Sequence, residues 1–133
     1  MRILIFDSGA LINLSMNGLL YLLEDLKKIF DGKFILTEDV KYEVIDRPLK
    51  IPRFELGALR IKDLLDKKVL ELPSSIEINA SIIKKETEHL MSKANACVKT
   101  KNTQVNIISN AEASCLALSS ELTKIKIENL IAI

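Results

Sequence analysis

The chain opens on a short unbroken apolar run, Ile3-Leu4-Ile5-Phe6, within Arg2 to Phe6. Such a run, without polar alternation, predicts a strand covered on both faces, as in a parallel sheet. Asp7-Ser8-Gly9 interrupts it, and Ala10 to Leu14 predicts a short helical turn. From Asn17 to Phe30 the period becomes that of an amphipathic helix. Leu19, Leu20, Leu22, Leu23, Leu26 and Phe30 fall near the core, with Glu24, Asp25, Lys27 and Lys28 outside it. Asn17 is placed as the N-cap. After the turn at Asp31-Gly32, Lys33 to Leu36 predicts a second strand.

Thr37 is placed as the cap of a helix starting at Glu38, with acids in its first turn and Val40, Val44 and Ile45 inward. That helix ends before Pro48. Arg47 to Arg53 predicts a loop, Phe54 to Asp66 a helix, and Val69 to Leu72 a third strand closed by Pro73. Ser81 to Val98 predicts a helix with Ile82, Ile83, Leu90, Ala94 and Cys97 as its apolar stripe. Lys99 to Asn106 predicts a polar loop. Ser109 to Leu122 predicts a helix opened by a capping box, Ser109-Asn110-Ala111-Glu112. Leu130 to Ile133 is the fourth apolar strand.

Strands alternating with helices imply an α/β fold, a three-layer α/β/α sandwich around a parallel sheet of about four strands. No repeat, low-complexity tract or linker divides residues 1–133, so one domain is expected. At 133 residues the chain buries roughly two-thirds of its unfolded surface, enough for a core without staples. Hydrophobic residues at 48% and charged residues at 28% exclude a disordered chain. The net charge of +1 gives no global basic field, so bound nucleic acid would need a local patch or a metal. Trp is absent, which argues against stacking of single-stranded bases as the main binding mode. Cys97 and Cys115 lack metal-ligand or redox spacing, and with no signal peptide they read as reduced thiols of a cytoplasmic protein. No stretch approaches the ~20 apolar residues of a membrane span.

In a parallel sheet, ligands bind beyond the carboxyl ends of the strands, where Asp7 falls. The bland alternative for Asp7 is a cap or turn residue. A phosphatase of the haloacid-dehalogenase type would need a second Asp two residues on, where Gly9 stands. Glu43 lies three residues after Val40, beside the apolar stripe, and taken alone reads as a solvated position. Asp39 and Asp46 read as plain surface charges. Glu112 suits the helix dipole and the capping box, but its small neighbours Ala111, Ala113 and Ser114 allow close approach to a cleft. His89 lacks a nucleophile partner and reads as solvated. Lys84, Lys85, Lys93, Lys99 and Lys101 read as a solvated basic face, with phosphate contact as the alternative.

Together, Asp7-Ser8 after the first strand, Glu43 in the helix after the second, and Ala111-Glu112-Ala113 opening the helix before the fourth resemble the PIN-domain family. The resemblance spans Met1 to Ile133 and is weakest from Ser74 to Asn106. It implies that Asp7, Glu43 and Glu112 are catalytic, metal-holding acids, with Ser8 supporting the first and Asn13 filling a polar position in the cleft. It implies Mg²⁺ or Mn²⁺ as cofactor and RNA as substrate, cut to leave a 5′-phosphate and a 3′-hydroxyl. All-oxygen ligands suit those cations, and carboxylates this close would otherwise repel. The family usually places one or two further Asp residues after its fourth strand. This sequence stops at Ile133, so the resemblance implies a domain short of its C-terminal strand and last acids, with weakened metal binding and activity. An RNA-processing nuclease and the toxin of a toxin–antitoxin pair are both implied, the latter with an antitoxin or other small protein as partner. A homodimer is a further possibility. The alternatives are a PIN-like module that binds RNA or protein without catalysis, and an unrelated α/β domain whose acids are caps and surface charges.

Overall fold

The computed structural model describes residues 1–97 and 108–133. Four parallel strands form one sheet in the order β3-β2-β1-β4: β1 Arg2–Phe6, β2 Gly32–Ile35, β3 Leu70–Glu71 and β4 Glu128–Ala132. Helices α1 Ser8–Met16 and α2 Tyr21–Ile29 lead from β1 to β2. Helix α3 Glu38–Lys41 continues as a π turn, Tyr42–Asp46, and α4 Glu55–Asp66 then leads to β3. Helices α5 Ala80–Cys97 and α6 Asn110–Lys124 precede β4. Right-handed crossovers put α1–α4 on one face and α5 and α6 on the other. The fold is the three-layer α/β arrangement that the alternation of periods implies.

Registers explain why the apolar runs are unbroken. Leu70, Phe34, Leu4 and Leu130 form one row across the sheet, and Glu71, Ile35, Ile5 and Ile131 form the next row on the opposite face. Ile5 and Ile35 are completely buried, Phe34 nearly so, and its ring meets that of Phe6 edge-on at 5.4 Å. Each such side chain contributes about 1.5–3 kcal/mol on leaving water. Exposed ion pairs such as Lys28–Asp25 and Lys124–Glu121 contribute about 0–1 kcal/mol each. The core, rather than surface charge, holds the sheet. Strands β1 and β2 also approach so closely at Gly32 that a Cβ there would lie 2.0 Å from the Arg2 carbonyl oxygen.

Three of the α-helices end in the same six-residue wrap. After α1, Leu19 N–H donates to the Leu14 carbonyl and Gly18 N–H to that of Ser15, with Gly18 at φ +67°. After α4 and α6 the left-handed position is taken by Lys68 (φ 60°) and Lys126 (φ 62°), with the equivalent bonds Val69–Leu64 and Ile127–Leu122. Asn17 is therefore the C-cap of α1, its N–H bonded to Asn13 and Ser15, and not the N-cap of α2. Asparagine serves both ends of a helix, and the glycine that follows decides between them. The displaced start of α2 leaves Leu19 and Leu26 largely in solvent, while Leu20 and Leu23 reach the core. The expected loop at Lys99 to Asn106, and Val98 before it, lie outside the described residues. No described helix is long and apolar enough to cross a membrane.

Candidate functional site

The strand order reverses direction between β1 and β4, since β2 and β3 lie on one side of β1 and β4 on the other. The crossovers on either side of that point go to opposite faces, the place at which parallel α/β sheets commonly bind ligands. Asp7 is the residue there. Its N–H donates to the Ala132 carbonyl at 2.9 Å, and the residue is 6% exposed. Its Oδ1 accepts the backbone N–H of Ser8 at 2.8 Å and the Ser8 hydroxyl at 3.4 Å. Asp7 is thus both the N-cap of α1 and the acid at the switch point, and Ser8 fixes its carboxylate.

Helix α6 brings Glu112 to the same end of the sheet. Ala111, Ala113, Ser114 and Cys115 are buried, so the first turn of α6 presses against its neighbours. The Cys115 thiol donates to the Phe6 carbonyl at 3.8 Å, next to Asp7. Ser114 Oγ lies 2.6 Å from Thr37 Oγ1, and Thr37 is the residue that caps α3. The ends of β1 and β2 are therefore both tied to the start of α6. Glu112 itself is exposed. Its Oε2 accepts the Ser109 N–H at 3.1 Å, and its own N–H donates to Ser109 Oγ at 3.2 Å, which completes the capping box.

Burial pushes the Cys115 thiol up to about 12, and the negative charge of Asp7 adds to this, with smaller contributions from Asp39 and Glu112. Asp39 is exposed on α3, as sequence patterning assigned it, while desolvation raises its carboxyl and the charge of Lys84 opposes the rise.

Glu43 is half-buried on the π turn, which packs against α1 and α4. It does not act on Cys115, and among the described residues it makes no hydrogen bond or ion pair. Asn13 is exposed on α1, and His89, Lys84, Lys85 and Lys93 are exposed on α5. Lys99 and Lys101 lie outside the described residues. Among the described residues, no group of three or more His, Cys, Asp or Glu side chains is gathered closely enough to hold a metal ion by itself.

A cleft of about 400 Å³ opens at the ends of β2 and β3; Asp39 lines it, and Asp7, Glu43 and Glu112 do not. Thr37, Asp39, Pro73, Ile83, Lys84 and Asn110 are among its walls. A second hollow of about 500 Å³, between α2 and α4, shares no residue with the acids discussed above. The fold defines the class as an α/β protein with a four-stranded, all-parallel central sheet. No family model, curated protein or solved structure matches the chain.

Proposed function

We propose that this chain is a PIN-like, metal-dependent endoribonuclease domain that hydrolyses RNA phosphodiester bonds, with Asp7 as its principal acid. The observation that carries this reading is the place of Asp7: nearly buried, at the carboxyl end of β1, beside β4, where the strand order reverses. Glu112 adds support, because the first turn of α6 is packed at the same end of the sheet through Ser114 and Cys115.

The donor chemistry fits a hydrated hard cation rather than an all-protein cage. Mg²⁺ keeps several waters and is commonly held by one or two carboxylates together with substrate phosphate. Asp7 and Glu112 would hold it, with Mn²⁺ as the equivalent ion. Glu43 is the third acid of the proposal, and it sits on a π turn, a feature frequent at functional sites. When bound, the metal supplies an activated water and offsets phosphate charge. The chain's own part is electrostatic and positional. Ser8 orients Asp7, and the acids alone would repel a phosphodiester, so substrate approach depends on the cation. Either a toxin held by an antitoxin or an RNA-processing nuclease suits this chemistry, in the cytoplasm.

A second reading, a PIN-like module that binds RNA or protein without catalysis, is favoured by one observation. Glu112 already spends an oxygen on the Ser109 N–H, and the described acids are not gathered as a threesome. Mn²⁺-dependent cleavage of single-stranded RNA by the wild-type chain, lost in Asp7→Asn with RNA binding kept, supports the nuclease. Binding without cleavage in both supports the second reading.

A further inference from the structure

The connections that leave β2 and β3 part to opposite faces of the sheet, α3 joining the layer of α1–α4 and α5 joining α6. Crevices beyond the carboxyl ends of parallel strands are where α/β proteins bind ligands. The cleft of about 400 Å³ lies at this point, and its size suits a small organic ligand.

Its walls are held by backbone bonds. Beyond β3, Ile78 N–H donates to the Pro73 carbonyl and Glu77 N–H to that of Ser74, both at 3.2 Å, with Glu77 at φ 62°. This is the wrap that ends α1, α4 and α6, and it brings Ile78 and Pro73 into one wall. Asn79 Oδ1 accepts the Ser81 N–H at 2.9 Å at the start of α5. Thr37, on another wall, is buried against Ser114. Asn110, the first residue of α6, lines the cleft two residues before Glu112.

The lining divides by kind. Pro73 and Ile83 are buried and Ile78 is half-buried, which gives the cleft aliphatic faces. Its charged groups are mainly acceptors: Glu38, Asp39 and Glu88 bring carboxylates against the single cation Lys84 among the described walls. Among the described residues, neither Asp39 nor Lys84 is in an ion pair. A phosphate inside this cleft would meet net negative charge. A heterocycle with N–H donors would meet apolar surface and acceptors together. One carboxylate can take two parallel N–H donors through its two oxygens. Among the RNA bases only guanine presents two adjacent N–H donors, N1–H and the 2-amino group, on its Watson–Crick edge. In the other three, a donor stands beside an acceptor.

We propose that this cleft is a base-binding subsite that takes a guanine of single-stranded RNA, its faces against Ile78 and Ile83 and its N1–H and 2-amino group donating to Asp39. The proposal rests on the ribonuclease reading and deepens it by naming a base that the domain selects. Aliphatic rather than aromatic faces keep the affinity for one free nucleotide weak, at about the millimolar level.

Amide-resonance titration of the whole chain, without metal, with the four ribonucleoside 5′-monophosphates tests this. Guanosine monophosphate should perturb the amides of Asp39, Ile78 and Lys84 and bind about tenfold tighter than the other three. 1-Methylguanosine monophosphate, which lacks the N1–H, should lose that advantage. Guanosine monophosphate should lose it equally on Asp39→Asn, a substitution at an exposed position that leaves the fold intact. A short oligouridylate carrying one guanosine should bind tighter than its all-uridine counterpart, which separates a base in RNA from a free nucleotide. No response up to about 10 mM overturns the proposal. So does an equal response to all four monophosphates, a perturbation centred away from the cleft, a preference that survives Asp39→Asn, or one confined to the free nucleotide. These titrations read no cleavage, so the two readings fail separately. Cleavage without a guanine preference removes the subsite alone, and the preference without cleavage removes the nuclease and leaves an RNA-binding module.

Discussion

The hydroxyls of Thr37 and Ser114, 77 positions apart in the chain, lie 2.6 Å from each other in the core. Thr37 also caps α3 through the Val40 N–H, and Ser114 also bonds the Ala111 carbonyl. The pair therefore couples the helix after β2 to the helix before β4, and with them Asp39 to Glu112. Thr37→Val keeps the shape but removes the cap and leaves Ser114 one partner short. It is expected to cost about 2 kcal/mol by urea denaturation. Ser114→Ala, which leaves Thr37 its cap, should cost less. Equal stability of Thr37→Val and wild type would mean that the pair does not hold these helices together.

Lys68 and Lys126 occupy the left-handed position that Gly18 occupies after α1. A side chain there is strained by about 1–2 kcal/mol, against roughly 0.5–1 kcal/mol for the extra freedom of glycine in the unfolded chain. Lys68→Gly and Lys126→Gly are each expected to raise stability by somewhat under about 1 kcal/mol. Gly18→Ala should lower it, since nothing lies within 4 Å of its added Cβ and only the backbone is strained. Thermal melting of the three variants checks the signs.

The Cys115 thiol gives a pH dependence of definite sign. Burial, then Asp7, lifts it from 9.0 to about 12 in the folded protein. The unfolded chain loses this proton first as pH rises. The stabilisation is complete below about pH 9 and is lost as pH climbs through about 12. Cys115→Ala should flatten the fall in stability over that alkaline window, beneath whatever its lost volume costs at all pH values. In a Cys97→Ser background, the native protein should resist thiol reagents at pH 8 and react only on unfolding. Rapid native labelling would mean that the sulfur is not buried against Phe6.

Glu112 closes the capping box of α6, and one substitution separates that role from the proposed one at the metal. Glutamine is accepted in a capping box, so Glu112→Gln should leave stability within about 0.5 kcal/mol of wild type, whereas Glu112→Ala should cost about 1 kcal/mol. If Glu112 also holds metal, Glu112→Gln should weaken Mn²⁺ binding while the fold is unaffected. Unchanged Mn²⁺ affinity in Glu112→Gln would leave the residue as a cap alone.

Much of the fold was legible because the apolar runs within Arg2–Phe6, Lys33–Leu36 and Leu130–Ile133 mark the strands and Thr37 and Ser109 mark helix starts, although β4 begins at Glu128, since an edge strand admits polar residues that the apolar run does not show. Asn17 was ambiguous because asparagine suits either end of a helix, and a local pattern does not show which helix owns it. The π turn at Tyr42–Asp46 has no local signature and depends on packing against α1 and α4. At the candidate site, Asp7 was legible from strand to turn. The Thr37–Ser114 contact was not, because it is made across the molecule and no spacing encodes it.

In the proposed site, Asp7 anchors a divalent cation at the switch point. Titration of the wild-type chain with Mn²⁺, followed by calorimetry and by paramagnetic broadening of amide resonances, tests it most directly. Broadening should centre on Asp7, Ser8 and the first turn of α6, and Asp7→Asn should abolish the saturable heat with the fold retained. Saturable binding that Asp7→Asn leaves intact, or broadening centred away from β1 and α6, would contradict it.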